Sequence, residues 1–252
     1  MTMKNNKIMN VWYLYHSGFA VETENCFLVF DYWRDTPKGG LAAGVIDLGE
    51  LAAKKKDVFV FASHNHPDHY NHAIASWPKK LPGLELVLSN DIPAQKGALM
   101  VGKNKYYTQD KLSLRTFESN DEGVAFLASV DGLQIFHSGD LNWWHWEGEP
   151  DSYNEDMANR YRKEIDKLRD YAVDLAFIPV DPRLEDQYAW AIDYLMRNVD
   201  VKHVVPMHFF NDDMAKRLLS DPVSAPYRDR IAILTQRGQK LTIQQGRSPS
   251  IR

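Results

Sequence analysis

The sequence predicts an α/β fold in which two sheets pack face to face, as a single domain over residues 1–252. Three observations lead there. The chain opens with three β segments, 9–15, 19–23 and 26–31, before any helical pattern; they are rich in Val, Tyr, Phe and Leu and are separated by His16-Ser17-Gly18 and Glu24-Asn25. The second half alternates short apolar runs with amphipathic ones. No repeat, low-complexity stretch or linker divides the chain. The β-rich first half and the later β/α half then supply the two sheets.

Bulk properties narrow the function classes. The net charge is −4 over 252 residues, so no overall cationic field favours nucleic acid. Cys26 is the one cysteine, which rules out an internal disulfide and suits a reducing cytoplasm. Residues 1–10 are polar and do not read as a signal peptide. No apolar run approaches the roughly 20 residues of a membrane helix. Residues 244–252 read as a short frayed tail.

In chain order, His16 sits in a turn beside a glycine, which suits a backbone-bonded turn histidine or a place at the rim of a site. Residues 33–44 are a loop holding Pro37, Gly39 and Gly40. Asp47 and Glu50 have capping-box spacing for a helix through Lys56. The apolar run 57–62 reads as a buried strand.

That strand runs into Ser63-His64-Asn65-His66-Pro67-Asp68-His69-Tyr70, with three histidines and a carboxylate in six positions. Imidazole nitrogen and carboxylate oxygen are ligands for a borderline divalent metal. In extended chain His64, His66 and Asp68 start on one face, and Pro67 keeps His66 extended. A turn at Asp68 brings His69 to the same cavity, so His64 and His66 serve one metal while Asp68 and His69 serve a second.

The pattern H-x-H-x-D-H resembles the signature of the metallo-β-lactamase superfamily. That resemblance implies a four-layer αββα sandwich, one or two divalent metals at the sheet edges, and a hydrolase. The N-terminal His16-Ser17-Gly18, His137-Ser138-Gly139-Asp140 and Met207-His208 look most like the branch containing ascorbate-phosphate lactonase and related phosphodiesterases. In that branch an acid at the place of Asp31 supports the metal loop.

Beyond the loop, residues 71–77 read as a helical turn, 84–88 as a strand, 91–100 as a helix, and 105–108 and 111–117 as strands. Asp131-Gly132 joins the runs 123–130 and 133–137 as a hairpin. From its position alone Asp140 reads as a turn residue; the resemblance makes it the carboxylate that bridges two metals. Trp143, Trp144 and Trp146 serve either as core or as an aromatic wall over the site, gripping an apolar or sugar-like face. His145 and Glu147 between and beside them are ligand types.

Residues 154–171 form an amphipathic helix and 173–180 a buried strand. Asp181 and Arg183 after it read as an ion pair, or as a supporting acid and an anion clamp. A helix over 186–198 and a strand over 202–206 follow. The resemblance makes His208, after that late strand, the last metal ligand. A helix over 212–220 and strands at 231–235 and 240–243 close the chain.

One departure from the family pattern stands out. Many two-metal members carry another histidine between the loop and the bridging aspartate, and here no histidine lies between His72 and His137. Ser119 occupies that neighbourhood, with Glu118 and Asp121 beside it and His145 as a further gap filler. Three protein ligands plus water remain a catalytic arrangement.

The resulting expectation is a metal-dependent hydrolase acting through metal-activated hydroxide on a small ester, lactone or phosphodiester. Its metal ligands are His64, His66, Asp68, His69, Asp140 and His208. Asp68 doubles as proton acceptor, Asp140 bridges, and His16, His137 or His145 gives a proton to the leaving group. Ser119, Asp121, His137, His145 and Arg183 are further candidates for ligation or substrate contact. Zinc is the first choice of metal, with manganese or iron as alternatives if the ligation is oxygen-rich. A small-molecule substrate is the expected partner, with homo-oligomerisation open and neither membrane nor nucleic acid favoured. The rival readings are an RNA- or DNA-processing nuclease and a non-catalytic metal or ligand binder that has lost a ligand.

Overall fold

The apolar alternation of the opening segments gives an antiparallel meander, β1 (Ile8–Tyr15), β2 (Gly18–Glu22) and β3 (Cys26–Phe30). The computed structural model describes residues 7–210, 213–244 and 249–251. Helix α1 (Leu48–Lys54) starts at Asp47, whose carboxylate accepts from the Glu50 amide. The box is half closed: Glu50 Oε2 accepts from the Leu41 amide at 2.9 Å, tying the helix to the preceding loop. Strand β4 (Asp57–Ala62) then pairs parallel with β3. A 3-10 turn over His72–Ser76 and α2 (Trp77–Lys80) lead to β5 (Leu84–Ser89) and β6 (Leu99–Val101), both parallel additions.

The second sheet starts antiparallel with β7 (Tyr106–Gln109), β8 (Leu112–Glu118), β9 (Val124–Val130) and β10 (Leu133–His137). Asp131 (φ 51°) and Gly132 (φ 68°) both lie in the left-handed region, the conformation a two-residue hairpin of type I′ requires. Helix α3 (Asp151–Asp166) crosses over before β11 (Ala172–Val173) and β12 (Leu175–Pro179); α4 (Trp190–Asn198) precedes β13 (Asp200–Val201) and β14 (Val204–Met207). After α5 (Asp213–Ser220), β15 (Lys240–Gln244) returns to the first sheet against β1, and β16 (Ser250–Ile251) pairs with it.

The sheets run β16-β15-β1-β2-β3-β4-β5-β6 and β14-β12-β10-β9-β8-β7. Their inner faces share one core that includes Phe19, Phe30, Phe61, Phe126 and Phe177. A second core lies under α3, α4 and α5, through Tyr161, Ile165, Ile192, Leu195 and Leu218. A third joins the outer face of the first sheet to Leu51, Ile74 and Trp77. This is the four-layer αββα arrangement. No helix among the described residues is long and apolar enough to cross a membrane.

Several local expectations are corrected. Residues 91–98 form turns, not a helix, because Pro93 and Gly97 (φ 84°) break it. Residues 231–235 make a single bridge, Val204 to Ile231, rather than a strand. The helix foreseen over 186–198 is split: Pro182–Gln187 is a 3-10 turn with Glu185 at φ 50°, and α4 begins only at Trp190. The foreseen C-terminal tail ends in a paired strand at Ser250–Ile251; residues 245–248 and 252 lie outside the described residues, as do 1–6 of the start and Asp212 of the last helix.

Gly123 shows how tightly the sheets meet at the site. It has φ 66°, and a Cβ there would stand 1.9 Å from the Ser63 carbonyl oxygen and 2.6 Å from the His64 Cβ. Gly123→Ala should cost at least about 1–2 kcal/mol through left-handed strain alone, with displacement of Ser63 added. Urea titration should show a lower midpoint at unchanged slope; an unaltered midpoint would contradict this packing.

Candidate metal centre

Strands β3, β4, β10, β12 and β14 all end at one edge of the sandwich, and the β1–β2 turn reaches the same edge. β4 delivers the histidine loop. The amides of His69 and Tyr70 both donate to the His66 carbonyl, at 3.0 and 2.9 Å, so the chain folds back and returns His69 beside His64. β10 delivers Asp140 through Gly139, which sits at φ 52°. β14 delivers His208, itself at φ 67°, whose amide donates to the His16 carbonyl at 3.4 Å.

The donors fall into two sets. His64, His66 and Asp140 form one, and His16, His69 and His208 the other; within each, one ligand atom per residue lies within 4.8 Å of the rest. Asp140 stands between them. Its Oδ1 is 3.1 Å from His69 Nε2 and 3.2 Å from His208 Nε2, while its Oδ2 is 3.4 Å from His64 Nε2. One carboxylate therefore faces both sets.

Buried carboxylates aim the histidines from behind. Asp31 Oδ2 is 2.7 Å from His69 Nδ1, and Asp181 Oδ2 is 2.9 Å from His208 Nδ1, which leaves both Nε2 atoms turned to Asp140. Asp31 is in turn held by the Ser63 amide (2.8 Å) and hydroxyl (2.7 Å). Carboxylate–histidine pairs of this kind fix ring orientation and raise ligand basicity.

The electrostatics follow from this packing. Burial would raise Asp140, but the His69 and His208 rings outweigh it and hold the carboxyl well below its usual range. Burial would lower His208, yet Asp140 and Asp181 outweigh it and raise the imidazole to about 9. His64 is pushed down to about 4 by burial and by His69, and His16 to about 3 by burial and its neighbours His208 and His69.

A cation fits these donors. Both ring nitrogens of His16 are buried without a hydrogen-bond partner, and His69 Nε2 and Asp140 Oδ1 are buried facing each other and His208 with nothing further to satisfy them. Leaving such atoms unpaired costs about 1–3 kcal/mol each, and their convergence supplies the nitrogen and oxygen ligands a divalent ion accepts.

The crevice over the centre, about 220 Å³, is lined by Asp68, Asp121, Asp140, Trp146, Arg183 and His208, among others. Larger hollows of about 360 and 440 Å³ lie around Lys7 and Leu133, and one of about 350 Å³ beside Trp143 and Trp190; none holds such a histidine cluster. The tryptophans divide their labour. Trp143 packs on Tyr161, Trp190 and Tyr194, whereas Trp144 and Trp146 stack 5.4 Å apart beside the site. Trp144 Nε1 donates to the Asp140 carbonyl at 3.1 Å. Arg183 lies 5.4 Å from the Trp146 ring and gives Nε and Nη2 to Asp181.

The remaining candidates are placed as follows. Asp68 is part exposed at the mouth, its Oδ2 3.5 Å from His16 Nε2. Asp121 lines the crevice, and burial followed by the nearby Asp140 raises its pKa. Ser119 is fully buried and its hydroxyl accepts from the Asp121 amide, so it shapes the turn instead of filling the histidine gap. Glu118 pairs with Lys103. His137 is fully buried with both nitrogens engaged, Nε2 donating to the Ser17 carbonyl and Nδ1 accepting from the Gly139 amide; it braces the turn before Asp140 and does not face the crevice. His145 sits edge-on to Trp190 and is not among the lining residues. Sequence reasoning did not single out Glu122, whose Oε2 is 3.6 Å from His66 Nε2. Its place in the acidic run 118–122 was the available signal.

Comparison with known proteins agrees with this arrangement. The family model described as a β-lactamase superfamily domain matches residues 10–145. Igni18, a metallo hydrolase from Ignicoccus hospitalis, shares the fold with a TM-score of 0.65 at 19% identity, covering 94% of this chain and 98% of its own. The metallo-β-lactamase fold protein YhfI from Bacillus subtilis gives 0.60 at 12%, covering 94% and 99%. CmlA, a diiron β-hydroxylase from Streptomyces venezuelae, gives 0.59 at 10%, covering 94% of this chain and 54% of its own. No curated protein matches the chain.

Two outcomes follow. A cation must displace the proton that His208 holds below about pH 9. Burial would lower His69, yet Asp140 and Asp31 raise it well above the ordinary imidazole value, so it too must give up a proton. Apparent metal affinity, read by chelator competition, should therefore keep climbing from pH 6 to at least about 9, and a flat profile would contradict the assignment. Asp31→Asn should weaken that affinity roughly 10–100-fold by loosening His69, and unchanged affinity would remove Asp31 from its supporting role.

Proposed function

The chain belongs to the β-lactamase superfamily, and from that footing we propose that it is a metal-dependent hydrolase of a small ester, lactone or phosphodiester. The observation that carries the reading is the sharing of Asp140 between two histidine sets. His64, His66 and Asp140 would hold one divalent ion; His69, His208, Asp140 and, from the mouth, Asp68 a second. The donor set suits zinc first. Such ions supply Lewis acidity and a lowered pKa for water.

The chain's own residues do the rest. Asp68, part exposed and next to His16, is positioned to take the proton of the attacking water and carry it to solvent. Trp144 fixes the Asp140 backbone, and Trp146 offers a flat face for the apolar part of a substrate. Arg183 keeps Nη1 outside its pairing with Asp181, which suits an anionic or carbonyl oxygen. The small crevice and its acidic lining favour a small molecule over a nucleic acid strand. Within the superfamily, the His-Ser-Gly turn and the placing of Asp31 behind His69 support the lactonase-like branch.

His66→Ala and Asp140→Ala test the reading. Each should shed metal and lower kcat/KM on generic esters or phosphodiesters by more than about 100-fold, beyond the loss of a merely supporting residue. Survival of both metal content and turnover in the two variants would end the proposal.

A further inference from the structure

We propose that His16 is a metal ligand, completing a three-histidine set with His69 and His208; this rests on the metal-site reading above and extends it. The loop that carries His16 is far from the H-x-H-x-D-H segment in sequence, yet the ring lies among the ligands. Its centroid is 4.3 Å from that of His208 and 5.8 Å from that of His69. One ring nitrogen of each of the three comes within 4.8 Å of the others.

The plainer alternative is a packing role. His16 does stack on Phe210 at 4.8 Å and meets the Trp33 ring edge at 5.7 Å. A phenylalanine would serve that purpose without burying two polar atoms. Both His16 nitrogens are buried and unpartnered, with Asp68 Oδ2 at 3.5 Å from Nε2 and not aligned for a hydrogen bond. The backbone is also held for the purpose. His16 has φ 56°, a left-handed conformation uncommon for non-glycine residues, although histidine, like asparagine and aspartate, is among those that adopt it more often. The Tyr13 hydroxyl accepts from its amide at 2.8 Å, and its carbonyl accepts from the His208 amide. The turn thus ties His16 directly to another ligand-bearing segment.

The consequence is an asymmetric pair of sites. The set of His16, His69 and His208, with Asp140 Oδ1 beside the last two, is rich in imidazole, whereas the set of His64, His66 and Asp140 is left with two histidines and the acids of 121–122 nearby. The nitrogen-rich site should hold its ion more tightly, and Asp68 adds to it from the solvent side.

The test compares wild-type protein with His16→Phe, which keeps the ring and removes both nitrogens. His16→Asn is the second variant, since asparagine accepts the left-handed backbone. Zinc and cobalt(II) are the probes. Each variant should lose one bound equivalent or at least tenfold in affinity at one site, and the cobalt d–d spectrum should change. Anomalous scattering at the zinc edge of wild-type crystals should place a His16 nitrogen about 2.0–2.1 Å from an ion. Unchanged stoichiometry, affinity and spectrum in a folded variant would overturn the proposal, as would a zinc–His16 distance above about 3 Å. If wild-type protein binds neither zinc nor cobalt, the hydrolase reading fails and this inference with it. Binding that is insensitive to His16 but lost in His66→Ala and Asp140→Ala would sink this inference alone.

Discussion

The buried carboxylate of Asp140 is the constraint on which the site depends. It lies among His64, His69 and His208 and cannot be ionised there without compensating positive charge. The histidines supply that charge, which is why His208 rises while Asp140 falls. A divalent ion would replace those protons with a fixed charge. The same geometry thus explains the proton distribution of the cluster and its fitness for a cation.

Holding that geometry demands unfavourable backbone. His16, Asp31 and His208 are non-glycine residues with φ between 44° and 67°, and each stands at the end of a strand or in the turn beside one. Such residues cost on the order of 1–3 kcal/mol each and persist where the surroundings over-determine them. The surroundings here are specific. Ser63 and His69 clamp Asp31, Asp181 and the His16 carbonyl clamp His208, and Tyr13 clamps His16. The extended cores on both faces of each sheet supply the rigidity that keeps these clamps in register.

Much of this was legible in advance. The meander, the Asp-Gly hairpin and the strand before the histidine loop follow from local patterns with a period of two and from turn chemistry. The errors fell where local pattern and tertiary context disagree. Residues 91–98 have helix-compatible composition but carry Pro93 and Gly97, and Asp91 is taken up by the Asn65 amide at 2.8 Å. Ile231 to Thr235 is apolar enough for a strand, yet it meets its neighbour at a single bridge. For the tryptophans, composition offered two uses, and the structure employs both, one residue facing the helical core and two facing the crevice.

By itself the sequence determined the chemistry of the histidine loop, because ligand type and spacing are local properties of consecutive residues. It also showed that no histidine lies between His72 and His137. Only the tertiary structure decided which distant groups share that cavity. It turned His137 into a brace with both nitrogens on backbone, put Ser119 into a turn, and brought His16 from an N-terminal turn to within ring contact of His208. The physical reason is that contacts across two sheets depend on strand order and register, and these are set by the packing of the whole core and not by any one segment.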